Sequence, residues 1–328
     1  MLNARQDRLL GCLGTVTLFT LAGCGVGLQS SGGALFAGGG AEGRQTDSSI
    51  ARTAAFEQTK VPKGLLFVTI APRPLHHLTS AVKIFDKNPP NALVGQITTG
   101  LSSPIGMAVD LAGDLFVANA AVPTIVEYPP GATKPSVTYR KDLTNPGIVA
   151  IGTDGTLYAT NYYSIGNGSA LIEYPPHDTK PSFKVRFTGL LAGLTLDSKN
   201  NLYVGYNGPT GGRILRFVPG SKVGEDLGIA IGFVGGLAFD AAGDLVVCDQ
   251  TAPAIDVFPP GATQPSQRIT AGLSDPSAIA FGHDYRRLYV ADSAAGNVLD
   301  YAYPEGTIVT QFNLGAAFGV ALSPPAPM

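Results

Sequence analysis

Charged side chains are scarce in this sequence, and their scarcity narrows the class of protein. Only 14% of the 328 residues are charged, and the 22 Lys and Arg nearly balance the 24 Asp and Glu. A typical soluble domain carries about 25% charged residues, so the chain is not a polyelectrolyte. The balance also gives no general attraction for nucleic acid.

Long hydrophobic runs are also missing. The uncharged, mostly apolar stretch 9–22 has 14 residues, whereas a membrane-spanning helix needs about 18 to 20. Arg5 and Arg8 precede this stretch, which is typical of a signal peptide. It ends in Leu21-Ala22-Gly23-Cys24, which resembles the lipobox of bacterial lipoproteins. We therefore expect a signal peptide at 1–23 and lipid on Cys24; a plain cleaved signal peptide with an incidental cysteine is the alternative.

The chain has only three cysteines, and they leave no disulfide for a mature protein. Cys12 lies within the predicted signal peptide and Cys24 is the predicted lipidation site, so Cys248 alone remains. Cys248 follows two valines in a predicted buried strand, which favours a small core residue over a catalytic thiol.

Glycine and proline are abundant, at 42 and 25 residues, but they fall short of the roughly 25–30% at which disorder is the default expectation. Residues 24–62 concentrate Gly, Ser and Ala, a composition that predicts a flexible tether. Residues 63–322 are then one folded domain rich in turns, and 323–328 are a tail.

An internal repeat organises that domain. A leucine followed by two apolar or aromatic residues recurs every 42 to 45 residues, at Leu115, Leu157, Leu202, Leu245 and Leu288. An earlier copy at Leu66 lies 49 residues before the first of these, and the longer loop 71–80 contains the excess. The sequence therefore holds six copies of one unit.

Each repeat contains four strand-like pieces. The first, such as 105–109, is rich in small residues, and a turn of Asp and Gly leads into the second at the leucine anchor. A third piece such as 125–128 ends in proline, and a short fourth such as 137–139 would be the edge strand. Four short antiparallel strands per period of this length are typical of a β-propeller blade.

The two ends of the domain predict how the ring closes. Residues 318–322 look like a first strand with no partners after it, and the first repeat, near Leu65, lacks a first strand before it. We predict an all-β, six-bladed propeller of four-stranded antiparallel blades whose C-terminal strand joins the first blade and hides the ring's edges.

Two of the repeats carry a family resemblance. Gly193-Leu194-Thr195-Leu196-Asp197 with Asn201-Leu202-Tyr203-Val204, and Leu288-Tyr289-Val290-Ala291-Asp292 with Gly296-Asn297-Val298-Leu299, resemble the NHL repeat. The resemblance implies a six-bladed propeller. It is weakly specific for function, because related propellers include RNA binders, gluconolactonase-like hydrolases, lyases and sensor domains.

One position per blade is the candidate site. Counting four residues past each leucine anchor gives Ile70, Asn119, Asn161, Tyr206, Asp249 and Asp292. We expect these residues to surround one mouth of the central channel and to contact a ligand. Asp249 and Asp292 come from adjacent blades and are candidate ligands for Ca²⁺ or Mg²⁺. The alternative is that each Asx side chain caps its own loop, and the two roles are compatible.

Other residue types add little chemistry. His177 and His283 lie in predicted turns away from the mouth, and His76 and His77 in the longer first loop are candidate general bases or incidental loop residues. Tyr162, Tyr163 and Tyr206 are candidates for stacking on a carbohydrate or peptide. Five of the loops after the second strands contain no Lys or Arg, which argues against RNA; they are 118–124, 161–170, 206–212, 249–254 and 292–297.

These patterns favour a non-catalytic binding or scaffolding module tethered to the membrane by lipid on Cys24, in the bacterial cell envelope. Its expected ligand is a protein, peptide or carbohydrate, and we expect a monomer. The alternative is a metal-dependent lactonase-like hydrolase or lyase with its site over the channel.

Overall fold

The computed structural model describes residues 64–71, 79–163 and 168–327, and these residues form 24 β-strands. The strands make six four-stranded antiparallel sheets, which confirms the predicted six-bladed propeller. The described residues include no helix with the length and hydropathy that a membrane crossing requires. The predicted signal peptide, Cys24 and the predicted tether lie outside the described residues.

Five of the blades use four consecutive strands, ordered from the inner strand at the axis to the outer strand at the rim. The strands of blades 2 to 4 are β4 (Pro104–Val109), β5 (Leu115–Asn119), β6 (Thr124–Tyr128), β7 (Val137–Tyr139), β8 (Pro146–Ile151), β9 (Leu157–Tyr162), β10 (Ser169–Tyr174), β11 (Phe183–Phe187), β12 (Leu190–Leu196), β13 (Leu202–Gly208), β14 (Gly211–Phe217) and β15 (Glu225–Ile231). Those of blades 5 and 6 are β16 (Val234–Phe239), β17 (Leu245–Asp249), β18 (Ala254–Phe258), β19 (Gln267–Ile269), β20 (Pro276–Phe281), β21 (Arg287–Asp292), β22 (Asn297–Ala302) and β23 (Thr307–Asn313).

Blade 1 joins the two ends of the domain. It combines β1 (Leu65–Ile70), β2 (Ala81–Asp86) and β3 (Leu93–Ile97) with the C-terminal strand β24 (Val320–Ser323), which is its inner strand. Leu66 is paired with Leu322 and Val68 with Val320, in an antiparallel ladder. The predicted closure is thereby confirmed, and β1 is not left as an open edge at the seam of the ring.

The hydrophobic core lies between the blades. Every residue of β1 is buried, because one face of the strand meets blade 6 and the other meets blade 2. The six large clusters of buried residues each join a neighbouring pair of blades. Tyrosines reinforce these joints: the Tyr128 hydroxyl donates to the Thr99 carbonyl at 2.7 Å, and the Tyr174 hydroxyl to the Lys141 carbonyl at 2.6 Å.

Glycines allow the inner strands to meet around the axis. A Cβ placed on Gly106 would lie 2.4 Å from the carbonyl oxygen of Gly147 in the next blade, and one on Gly319 would lie 2.4 Å from that of Ile105. Gly193 is in the same situation, at 2.5 Å from the carbonyl oxygen of Gly235. These contacts are with backbone atoms, so they cannot be relieved by moving a side chain. The small residues predicted for the first strands have this steric cause.

The glycine contacts predict a large effect from a single methyl group. Gly106→Ala should lower the free energy of unfolding by about 1–3 kcal/mol, the usual cost of overpacking a core. Gly95→Ala on the outer strand β3 is the matched control, since its Cβ would meet only an Ile84 methyl at 3.7 Å. Urea unfolding of both variants measures the difference, and equal stabilities would contradict the steric role of Gly106.

Candidate functional site

The predicted site residues occupy equivalent places at the ends of the second strands. Each is paired with a residue at or near the start of the inner strand of its blade; the pairs are Asn119 with Pro104, Asn161 with Pro146, Tyr206 with Leu191, Asp249 with Val234 and Asp292 with Pro276. Ile70 has no inner-strand partner of this kind, because the pairing between β1 and β24 ends at Val68 and Val320. The sequence count therefore found one structural position repeated around the ring.

Asn119 joins two connecting segments of blade 2. Its side-chain oxygen accepts from the Ser102 amide at 2.9 Å, and its amide group donates to the Gly100 carbonyl at 2.9 Å and to the Thr124 hydroxyl at 3.0 Å. Ser102 and Gly100 precede the inner strand, whereas Thr124 begins the third strand. All polar atoms of this buried side chain are used to fix loops in place.

Asn161 repeats half of this arrangement in blade 3. Its oxygen accepts from the amides of Thr144 at 2.7 Å and Asn145 at 3.0 Å. Its Nδ2 is buried with no hydrogen-bond partner. Ala170 stands where blade 2 has Thr124, so one acceptor is absent from this position.

Asp292 is the most heavily hydrogen-bonded residue of the set. One carboxylate oxygen accepts from the amides of Ser274 at 2.5 Å and Asp275 at 3.0 Å, and the other from the Ser274 hydroxyl at 2.7 Å and the Ala295 amide at 3.0 Å. The side chain is fully buried. The carboxylate thus holds the loops on both sides of β21 in place. This is the capping role that was the alternative to a ligand site.

Asp249 already has a cationic neighbour. Its Oδ1 accepts from the amides of Thr251 at 2.9 Å and Ala252 at 3.2 Å, and its Oδ2 lies 3.4 Å from the Arg268 guanidinium. Among the residues that the structure describes, no group of three or more His, Cys, Asp or Glu is placed to hold a metal ion. The Ca²⁺ or Mg²⁺ assignment to Asp249 and Asp292 stays a prediction.

The other singled-out residues differ in their exposure to solvent. Tyr162 is buried with Leu190 and Phe233, and Cys248 is fully buried, which raises the pKa of its thiol. The Tyr206 hydroxyl lies 3.2 Å from the Thr188 hydroxyl on a partly buried ring. His177 and His283 are exposed, and His76 and His77 lie outside the described residues.

The capping role predicts how Asp292 contributes to stability. Asp292→Asn should lower the free energy of unfolding by about 2–3 kcal/mol, because an amide nitrogen would replace an oxygen that accepts two hydrogen bonds. The loss should be the same with excess calcium and with a chelator. Thermal unfolding under both conditions measures it, and a loss seen only with calcium would assign the carboxylate to a cation instead.

A further acidic residue escaped the sequence analysis. Asp256 on β18 is 2% exposed, and its Oδ2 lies 3.2 Å from the Arg268 guanidinium while its Oδ1 is buried without a partner. Burial, with a smaller contribution from the charge of Asp249, raises its pKa to about 6, although Arg268 acts in the opposite direction. Aligning the repeats would have revealed Asp256 as an unusual residue, since the equivalent residues in four other blades are aliphatic. In blades 2, 3, 4 and 6 they are Val126, Ile172, Leu215 and Leu299.

Asp256 should make stability depend on pH. Because its folded-state pKa is raised above the ordinary value of 3.8, the folded state binds this proton more tightly than the unfolded state does. Its destabilising effect is present above about pH 6 and fades as the pH falls towards 4. Asp256→Leu should raise the free energy of unfolding at pH 7 by about 1–3 kcal/mol and by much less at pH 4. Urea unfolding at both pH values tests this, and an equal gain at both would contradict it.

Comparison with known proteins identifies the architecture. No protein-family model and no curated protein matches the chain. A crystal structure of a nidogen/laminin complex contains a chain that is similar, with a TM-score of 0.60 and 20% identity, covering 79% of this chain and 97% of that one. A protein of unknown function from Bacteroides caccae has a TM-score of 0.61 and 14% identity, covering 79% and 98%. At these identities the likeness shows the fold, a six-bladed β-propeller, and the NHL-repeat assignment stays a prediction.

Proposed function

We propose that the chain is a non-catalytic binding or scaffolding module of the bacterial cell envelope, tethered by lipid on Cys24. A propeller fold is consistent with a binding or scaffolding role. The observation that carries the proposal is the use of the second-strand polar residues. In blades 2, 5 and 6 these residues hydrogen-bond to the segments that precede the inner strands or follow the second strands. We call these connecting segments together the loop face. The polar residues thus serve to hold the loop face in place rather than to present reactive groups.

A rigid loop face suits recognition. Asn119 ties the segment before β4 to the start of β6, and Asp292 ties the segment before β20 to the turn after β21. Loops that are ordered before binding lose less entropy when a partner arrives. The same bracing repeated around the ring gives one broad surface made from several blades, which fits a ligand larger than a small metabolite.

The class of ligand is proposed from the fold. The nidogen/laminin structure is that of a protein complex, and it motivates a protein or peptide ligand here, with a carbohydrate as the other class. We propose a monomer that does not bind nucleic acid, in keeping with the lack of Lys and Arg in the loops that follow the second strands of the last five repeats. A membrane-tethered NHL-like propeller is the specific form of the proposal.

A metal-dependent lactonase-like hydrolase or lyase is the alternative that the sequence raised. Its site would need the carboxylates of Asp249 and Asp292 to give up hydrogen bonds from backbone amides and, for Asp249, the contact with Arg268. Each such exchange costs free energy that cation binding would have to offset. The binding module needs no such rearrangement, and we prefer it for this reason.

Lipidation has a direct test. In a bacterial host, the full chain should lose residues 1–23, carry diacylglycerol on Cys24 and remain with the membrane fraction after a high-salt wash. Cys24→Ser should remove the lipid and abolish this retention. Mass spectrometry of the mature N-terminus measures both, and an intact Met1 or an unmodified Cys24 on a cleaved chain would contradict the anchor.

The binding role is tested by photo-crosslinking in the same host. A photoreactive residue at Val122 or Thr210, both exposed in turns after second strands, should give discrete adducts that excess unlabelled protein suppresses. Val223 is the control, since it is 79% exposed beyond the opposite end of β14. Equal adducts from all three positions, or none from the first two, would contradict a ligand on the loop face.

A further inference from the structure

The positive charges of the chain are unevenly distributed. Residues 134–141 and 180–186 contain no Asp or Glu and carry six cations, namely Lys134, Arg140, Lys141, Lys180, Lys184 and Arg186. The first run contains the outer strand β7, and the second contains all but the last residue of the outer strand β11. We call them together the basic sector, and five of its six cations are exposed. Soluble protein surfaces normally intersperse both signs of charge, so this segregation needs an explanation.

The two runs form one surface. The Tyr174 hydroxyl of blade 3 donates to the Lys141 carbonyl at 2.6 Å, and Lys184 Nζ donates to the Asp142 carbonyl at 3.1 Å. The rings of Tyr139 and Tyr174 lie 5.2 Å apart at the same joint. The end of one basic run is therefore packed directly against the third and fourth strands of the blade that carries the other.

The six cations outnumber the acidic residues beside them, which are Asp142 and Asp178 next to the two runs and Glu127 and Glu173 on the adjacent third strands. Within the described part of the chain, the only ion pair of the basic sector joins Lys184 to Asp142 at 3.8 Å, with the two side chains 25% and 39% exposed. Glu127 accepts a hydrogen bond from the Tyr139 hydroxyl, and Glu173 accepts one from the Ser182 hydroxyl. These two carboxylates on the adjacent third strands are thus bonded to neutral groups. The sector keeps a net positive charge.

Two of the cations are held in place. The Arg186 guanidinium lies 4.6 Å from the centroid of the Tyr163 ring, and Lys184 Nζ lies 5.5 Å from it. Arg186 on β11 is paired with Ala170 on β10. Cation–π contacts of this kind restrict a long side chain without neutralising it. The charge of Arg186 is therefore partly ordered without being neutralised, whereas that of Lys184 is partly offset by Asp142. Such ordering lowers the entropy lost when an anion binds.

The chemistry around the sector selects among anionic partners. The large hydrophobic side chains that are exposed in the described residues all lie elsewhere, at Leu93, Val94, Leu111, Val122, Val218, Val223, Ile308 and Val309. The sector therefore lacks the apolar side chains that insert into a lipid surface or fill the centre of a protein interface. Tyr139 is buried, the Phe183 ring lies 5.9 Å from Lys222 Nζ, and the neighbouring Tyr163 ring is covered by Arg186, so these rings are not open for stacking on a nucleobase.

We propose that the basic sector on the rim of blades 2 and 3 binds a linear acidic polysaccharide through its carboxylate groups. Cations on the rims of two neighbouring blades match a chain that carries many carboxylates, and the planar fork of an arginine pairs with a carboxylate in two hydrogen bonds. This inference rests on the proposed binding role and names a surface separate from the loop face. It does not depend on the lipid anchor.

Polygalacturonate is the probe for the test, with neutral dextran as the uncharged control. The full chain should bind fluorescent polygalacturonate at low salt, with affinity falling as salt is added, and should not bind dextran. Lys141→Gln/Arg186→Gln should weaken binding by about 10- to 30-fold, at roughly a factor of five per cation. The matched control is Lys199→Gln/Arg286→Gln, which removes one exposed lysine and one exposed arginine elsewhere and should change affinity less than about twofold. Thermal unfolding establishes that both variants are folded.

Three outcomes overturn the proposal. The first is no binding of polygalacturonate at low salt, and the second is an equal loss of affinity in the two double variants. The third is tighter binding of the sector to oligothymidylate or to phosphatidylserine vesicles, which would assign it to a nucleic acid or a membrane. In each case the crosslinks from Val122 and Thr210 still report separately on the loop face, so failure of the basic sector is distinguishable from failure of the binding role.

Discussion

The close approach of the inner strands around the axis is the constraint on which the rest of the structure depends. Gly106 and Gly319 each bring a backbone carbonyl of the adjacent blade to a distance at which no Cβ fits. With larger residues there the blades would stand apart, and the clusters of buried side chains between them would be opened to water. Closing the ring at the axis is what allows four-stranded sheets, each too small to be stable alone, to bury both faces.

The bracing of the loops follows from where the second strands end. Each second strand ends beside the segment that enters its own inner strand, so one polar side chain there reaches two loops at once. Asn119 and Asp292 use this position fully, whereas Asn161 leaves its Nδ2 unsatisfied because Ala170 replaces a threonine. A position that looks like a ligand ring in the sequence therefore has a mechanical role in at least two blades.

Two features of this propeller depart from its sixfold repeat. Asp256 places a carboxylate where four other blades have an aliphatic side chain, and Arg268 comes from the neighbouring outer strand to meet it. The basic sector is a second departure, confined to the rims of blades 2 and 3. The repeat is maintained by packing, so residues that break it without serving the core are the natural places to look for function.

The sequence alone determined the architecture, because the six leucine anchors, the small-residue inner strands and the unpaired strand at 318–322 are all local patterns with a fixed period. It also located Asn119, Asn161, Asp249 and Asp292 at the ends of second strands. Only the tertiary structure decided what these side chains touch, since their partners lie in the segments before the inner strand and after the second strand, which meet when the strands of one blade pair. The same holds for the basic sector, whose two runs are some 40 residues apart in the chain and meet only because adjacent blades pack face to face.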